Sequence, residues 1–464
     1  MDQPPSRTLT PPSERARTWA VVLSFVWPGL GQLYLSRRRT AVLHALPPLA
    51  AFAFVILGAS GGLLSFAWRL ITPVAALTLL VFVLGIGILR VVSIVDARGW
   101  VPPAVGGTRS AVLAIVLSAL VVACHGYGGY LALVLYRAGE EIYEPVPSVP
   151  PVAVSPAPSG SGPLPSARTP RPRPATPAPA PLLPSGRINV LLVGFDRGTN
   201  GPMNTDTMIF VSYDRDSEEL IMISLPRDVA MVPMYDGGTW RRKINALYHY
   251  ANTHPDEYPG GGMATLMREM EFLIGVPVPY YVSIDIPGFR HLLELVGGVT
   301  VDVERHICDP GYQFAPDRVG FCIEPGEQHL DPQMAEAYVR ARHGTAGGDF
   351  GRARRQQQVI LALRQKLDDP LLIGRLPEIV EATADFIRTN VPLESLPEVI
   401  DVVARSRGAN ERNIVLAPRR YARQIPPSEI GGLYALSLKM DAVAELSIEL
   451  FGSLSRYAQS SPAP

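Results

Sequence analysis

Between Arg187 and Lys366 the chain sets acids and basic groups at the predicted ends of strands and at one helix start. The acids are Asp196, Asp206 and Asp349; the basic residues are Arg227, Lys243, Arg340, Arg342, Arg352 and Arg355. One or two carboxylates completed by phosphate oxygens is the usual shell of Mg²⁺. Guanidinium forks match phosphate oxygens in pairs. The combination suits a pyrophosphate better than a neutral ligand. Taken singly, Asp196 and Asp206 also read as turn and strand-capping residues.

These groups must be positioned by the elements around them. Ile188 to Phe195 is an apolar, β-forming run that ends at Asp196. Thr207 to Tyr213 and Leu220 to Leu225 are two more strands, joined as a hairpin by the polar turn Asp214 to Glu218. If the first two strands run antiparallel, Asp196, Asp206 and Arg227 converge at one sheet edge. Asp349 is placed to N-cap a helix beginning at Phe350. Arg352, Arg355, Gln356 and Val359 then share one face of it. A helix start favours an anion through its dipole. Arg340 and Arg342 end the preceding helix, and the Gly344 to Gly348 turn folds the two helix ends toward each other.

The remaining pattern predicts a helix over Met263 to Ile274, strands over Tyr280 to Ile284 and Val299 to Val303, and a helix over Pro287 to Val296 between them. Helices follow at Leu371 to Ile387, Leu396 to Ser406 and Met440 to Phe451, with a strand at Ile414 to Ala417. The predicted fold class is α/β, a central mixed or antiparallel sheet sandwiched by helices. Met263, Met267 and Met270 share a helix face. They read as core packing or as a flexible lining for a lipid tail.

Upstream, the apolar residues concentrate in positions 1–137. Leu70 to Leu89 and Ser110 to Tyr136 are long enough to cross ~30 Å of hydrocarbon, and Ala41 to Ala59 is a third such run. Arg37 to Arg39 and the cluster Arg90, Arg98 and Arg109 face the cytoplasm under the positive-inside rule. The chain then leaves the last span on the outer side. Trp19 to Leu35 is broken by Pro28, Gly29 and Gly31. It reads as a re-entrant or interfacial hairpin with three true spans, or as the first of four spans. Positions 138–186 form a spacer rich in Pro, Ala and Ser, whose Pro145 to Gly186 part reaches on the order of 130 Å. The folded domain occupies 187–456, with its core at 187–367, and 457–464 is an expected disordered tail. Cys308 and Cys322 share one polar loop, and an oxidising exterior makes them a candidate disulfide. Net charge is zero, with 42 basic and 42 acidic residues, so nothing draws the chain to nucleic acid.

The ordered motifs Ile188 to Asp196, Thr205-Asp206-Thr207, Ser224 to Asp228 and Lys243 to Asn245 resemble the LytR-CpsA-Psr family. So do Tyr280 to Asp285, Gly297 to Val299, Ala337 to His343 and Asp349 to Gln358. The chain carries Asn204 where the family usually has an arginine. The resemblance implies a membrane-anchored phosphotransferase whose catalytic domain is extracellular. Such an enzyme takes a glycopolymer from a polyprenyl-pyrophosphate carrier, attaches it to peptidoglycan and releases polyprenyl phosphate. It implies Mg²⁺ held by Asp196 and Asp206. It implies a pyrophosphate and head group bound by Arg227, Lys243, Arg340, Arg342, Arg352 and Gln356, with Asp349 and Arg355 in the neighbouring pattern. Asp206 or Asp349 would accept the incoming hydroxyl's proton. A polyprenyl-pyrophosphate pyrophosphatase and a non-catalytic lipid-phosphate scaffold are the competing functions.

Overall fold

The computed structural model describes residues 12–60, 73–99, 107–146, 186–196, 203–315, 317–344, 347–366, 376–392 and 395–460. It divides into two units, residues Met1–Glu140 and Glu141–Pro464.

Among the described residues, three helices are long and apolar enough to cross a membrane: Arg38–Gly58, Val74–Arg98 and Thr108–Ile142. Trp19 to Leu35 is not one of them. It forms the helices Glu14–Val26 and Leu30–Tyr34, separated at Gly29, whose φ of 96° only glycine adopts readily. A Cβ on Gly31 would lie 2.0 Å from the Ala20 carbonyl oxygen, so the two legs touch there. Ser24 donates to Gln32 Oε1 at 3.1 Å across the same contact. The run is thus a helical hairpin.

The second unit is built on a mixed sheet. Its strands in chain order are β1 (Arg187–Asp196), β2 (Asn204–Asp214), β3 (Glu219–Ser224), β4 (Val232–Pro233), β5 (Thr239–Trp240), β6 (Tyr280–Asp285) and β7 (Val299–Val303). There follow β8 (Ile307–Ala315), β9 (Arg318–Ile323), β10 (Gly326–Leu330), β11 (Ile387–Thr389), β12 (Asn410–Val415), β13 (Ala422–Gln424) and β14 (Leu436–Leu438). The main sheet has the order β11-β6-β1-β2-β3-β12. β1 pairs antiparallel with β2 and parallel with β6, while β3 pairs antiparallel with β2 and parallel with β12.

Side chains alternate across this sheet. Leu191, Val193 and Phe195 of β1 enter a core that also holds Leu266, Met267, Met270 and Leu450. The helices Gly261–Ile274 and Met440–Phe451 cover that face. Leu192 and Gly194 face the other side, toward the helices Ile286–Val296 and Gly348–Lys366. Met263, Met267 and Met270 therefore belong to a packed core, on the face opposite the cavity described below.

Several boundaries differ from expectation. Cys308 and Cys322 lie not in a loop but in the β8–β9 hairpin, as direct cross-strand partners. Pro310, Gly311 and Gly320 hide the period-2 alternation there, and the register shifts twice. The helix before Gly344 ends at Arg340, so Arg342 stands beyond it. The expected helix over 371–387 is observed as Leu376–Ala384, followed by β11; residues 371–375 lie outside the described residues. Tyr143 and Glu144, assigned to the spacer, run beside Thr389, with Glu144 N donating to its carbonyl at 2.8 Å. Residues 147–185 of the spacer lie outside the described residues. Arg456–Ser460, partly assigned to the tail, forms a short helix. Its Tyr457 hydroxyl donates to the carbonyls of Phe272 and Leu273 at 3.1 and 3.0 Å.

Candidate functional site

Asp206 owes its position to a β-bulge. Gly194 pairs with Thr207 and Phe195 with Thr205, so Asp206 is the extra residue on β2. A bulge re-aims a side chain at the end of a ladder. Gly194 is needed opposite it, because a Cβ there would lie 2.9 Å from the Thr207 side chain. Asp196 sits directly across from Asn204 at the same edge.

The β2–β3 hairpin returns the chain to that edge, where Pro226 to Asp228 make a turn. Val229 N donates to the Pro226 carbonyl at 3.1 Å, and Leu436 N to the Asp228 carbonyl at 3.0 Å. Arg227 is thereby aimed at Asp206: its Nη1 donates to both carboxylate oxygens, at 2.7 and 2.8 Å. Arg227 Nε lies 3.5 Å from Asp349 Oδ1, and Arg352 Nη2 lies 2.7 Å from that same oxygen. Arg352 also donates to the Asp206 carbonyl at 3.4 Å. Asp349 lies inside the first turn of the Gly348–Lys366 helix rather than capping it. Burial pushes the Asp349 carboxyl up, against the pull of Arg352 and Arg227. Burial likewise pulls Arg352 down, against Asp349. Arg227 Nε, Asp349 Oδ1 and Arg352 Nε are buried without a hydrogen bond. Charge is thus concentrated where the fold itself satisfies it incompletely.

Arg340 reaches the same edge from the Pro332–Arg340 helix. Its Nη2 lies 3.5 Å from Asp196 Oδ2, while Nη1 donates to Glu336 at 2.9 Å. Glu336 is buried and also accepts from Arg290 Nε at 2.5 Å. Arg342 is placed through its backbone. Asp309 Oδ2 accepts the N–H groups of Arg342 and His343 at 2.7 and 2.9 Å. Asp309 is 1% exposed. It follows Cys308, which is joined to Cys322 by a disulfide.

Of these side chains, Asp196, Asp206, Arg227, Asp309, Arg340, Arg342, His343 and Arg352 border one cavity of about 640 Å³. Asp196, Asp206, Arg227, Arg340, Arg342 and Arg352 border its polar part, with Gln356 close by. Its other part is apolar: Leu192, Val282, Phe289, Leu292, Ile360 and Leu363. This apolar compartment was not foreseen from the sequence. Its residues come from two strands and two helices, and each reads locally as ordinary core.

Two expected ligands lie elsewhere. Lys243 Nζ contacts Asp228 Oδ1 at 2.5 Å and does not border the cavity. The segment after it serves the scaffold, with Ile244 N donating to the Val229 carbonyl at 2.6 Å. Arg355, 4% exposed, donates to the carbonyls of Tyr338 and Ala341 and closes the end of the preceding helix. Its guanidinium is directed instead to the Tyr338 carbonyl and ring. Burial lowers its pKa to about 10. Asp309 and Glu336, which hold Arg342 and Arg340, are the residues that sequence reasoning missed. Neither sits in a spacing that marks it.

Asp196 and Asp206 border the cavity's polar part, while Asp285 and Asp309, which also border the cavity, accept backbone N–H groups. Among the described residues no group of three or more His, Cys, Asp and Glu side chains is placed to hold a metal. Two carboxylates would leave the rest of a divalent ion's shell to phosphate oxygens.

The curated relatives include TagV of Bacillus subtilis, a polyisoprenyl-teichoic acid–peptidoglycan teichoic acid transferase. It is 30% identical over 205 residues, 44% of this chain and 49% of the relative. The regulatory protein MsrR of Staphylococcus aureus is 28% identical over 210 residues, 45% of this chain and 57% of the relative. The chain thus spans about half the length of these relatives. The crystal structure of B. subtilis TagV aligns at 24% identity and a TM-score of 0.45, covering 60% of this chain and 100% of that one. The LytR_cpsA_psr family model matches residues 172–424, more than half of the chain, and includes the strands and helices that carry the clustered acids and arginines. This protein therefore belongs to the LytR-CpsA-Psr family.

Proposed function

We propose that this protein transfers a glycopolymer from a polyprenyl-pyrophosphate carrier to peptidoglycan, releasing polyprenyl phosphate. One observation carries the reading: a single cavity joins a cationic, acid-bordered part to an apolar compartment. A lipid pyrophosphate has that same division between an anionic head and a hydrocarbon tail. The tail would lie against Leu192, Val282, Phe289, Leu292, Ile360 and Leu363, and the head against Arg227, Arg340, Arg342 and Arg352.

In this reading the acceptor hydroxyl oxygen attacks the glycan-side phosphorus. The new P–O bond forms as the bond to the bridging oxygen breaks. The lipid keeps that oxygen and leaves as its monophosphate, and the acceptor's proton passes to a carboxylate, Asp206 or Asp349. The arginines stabilise charge on the transferring and departing phosphates. Asp196 and Asp206 would hold a divalent ion, which when bound adds charge neutralisation at the diphosphate. Asp206 would then keep only part of its bond to Arg227. The three apolar helices would make a multi-pass membrane anchor, and the positive-inside rule supports a catalytic unit outside the cell.

The test incubates the full-length protein with a labelled lipid-linked glycan and peptidoglycan. Labelled polymer joined to peptidoglycan, with release of lipid monophosphate and loss of both on Mg²⁺ chelation, is the expected result. Free phosphorylated glycan in place of ligated polymer would convert the reading to a pyrophosphatase. A bound but unchanged donor would make the protein a scaffold.

A further inference from the structure

We propose that a second cavity, on the far side of Arg342, is the subsite for the acceptor saccharide. The inference rests on the transferase reading and deepens it. The cavity has a volume of about 460 Å³ and is bordered by Asp228, Arg342, His343, Asp349, Phe350 and Tyr434. Arg342 and His343 also border the first cavity, so they form a wall common to both.

The two candidate bases divide between these cavities. Asp206 borders only the first, and both its oxygens accept from Arg227. Asp349 borders only the second, and its Oδ1 lies 2.7 Å from Arg352 Nη2 and 3.5 Å from Arg227 Nε. A hydroxyl delivered through the second cavity meets Asp349 without displacing the lipid from the first. Asp349 is then the acceptor-side carboxylate, and Asp206 belongs to the donor side.

The cavity's other walls suit a sugar. Carboxylates and an imidazole accept hydroxyl protons. Phe350 and Tyr434 supply aromatic surface for the apolar face of a pyranose, and the tyrosine adds a polar tip. Tyr434 is 44% exposed, beside Leu433 at 58%. The turn Gly431-Gly432, with φ of 67° and 84°, presents both. The hydrogen bond from Leu436 N to the Asp228 carbonyl ties this segment to the Arg227 turn. Tyr434 lies beyond residue 424, where the family match ends. Tyr434, unlike Phe350, therefore comes from a part of the chain outside that match, where acceptor preference can differ between relatives.

The test titrates the full-length protein in detergent with a peptidoglycan-derived tetrasaccharide and, separately, with the lipid-pyrophosphate donor. Tyr434→Ala should weaken tetrasaccharide binding about tenfold, with donor affinity held within about twofold, which also reports an intact fold. Tyr434→Phe should restore most of the loss. Unchanged tetrasaccharide binding in Tyr434→Ala, or no tetrasaccharide binding by the wild type, overturns the subsite. A photo-reactive tetrasaccharide should label the peptide holding Tyr434; labelling confined elsewhere also overturns it. Failure of the wild type to bind donor would instead remove the transferase reading, and the saccharide titration would still decide the subsite.

Discussion

One carboxylate oxygen of Asp309 accepts the backbone N–H groups of both Arg342 and His343, at 2.7 and 2.9 Å. The carboxylate is fully enclosed, and its Oδ1 also accepts from Gly311 N at 3.3 Å. It thus fixes the segment that follows the Pro332–Arg340 helix, where no helical bond holds the chain. Asp309→Asn places an amide beside these donors and leaves fewer acceptors for them. It should cost about 1–3 kcal/mol of stability, read as a lowered unfolding midpoint. Transfer should fall more than stability explains, because Arg342 loses its fixed approach.

Arg342 and Arg355 should separate cleanly on substitution. Among the described residues the Arg342 guanidinium is not in an ion pair. Arg342→Ala should abolish transfer and shift the unfolding midpoint by no more than an ordinary surface change, about 0.5 kcal/mol. Arg355→Ala strands two buried carbonyl groups and should destabilise the unit by roughly 2–4 kcal/mol. Comparing thermal midpoints with transfer rates in both variants checks this. Near-normal transfer by Arg342→Ala would remove that residue from the site.

The apolar compartment offers a test by filling it. Ile360 borders the cavity from the Gly348–Lys366 helix and is only partly buried. Ile360→Trp adds volume where a long tail would lie, at a stability cost of about 1–3 kcal/mol. Transfer from a long-chain donor should drop by at least about tenfold, while a donor with a very short prenyl chain keeps most of its rate. Equal losses with both donors would show that the tail lies elsewhere.

Glu269 provides a pH dependence on the opposite face of the sheet. It is 1% exposed, and burial pushes its pKa from an ordinary value near 4.5 up to about 8. Below pH 4.5 both the folded and the unfolded chain hold the proton, so this favourable contribution is complete. As pH rises the unfolded chain ionises first, and the contribution is lost progressively until the folded group also ionises near pH 8. The loss should be on the order of 4 kcal/mol. Thermal midpoints measured at pH 5 and pH 8 should differ in the wild type, and the difference should shrink markedly in Glu269→Gln.

Much of this arrangement was legible in local pattern. The hairpin of β2 and β3, the helix Met440–Phe451 and the three membrane-length helices follow from apolar periodicity and run length, which neighbouring residues express by themselves. The convergence of Asp196, Asp206 and Arg227 at one edge follows from strand direction, while the bulge that aims Asp206 shows only in the structure. Helical spacing points to Arg355 and the family motif to Lys243, and neither signal sees what lies beside a side chain. Arg355 faces the end of a neighbouring helix, and Lys243 faces Asp228.

The sequence by itself determined the order of elements, the acids and arginines at strand ends, and the family. Those properties reside in hydrophobic period and short motifs. Only the tertiary structure decided that Leu192, Val282, Phe289 and Leu363 enclose one apolar compartment, that Asp309 holds Arg342, and that Asp349 and Tyr434 meet across 85 positions of chain. Such relations depend on packing between distant elements, where one residue type serves core, clamp or cavity wall according to what is folded against it.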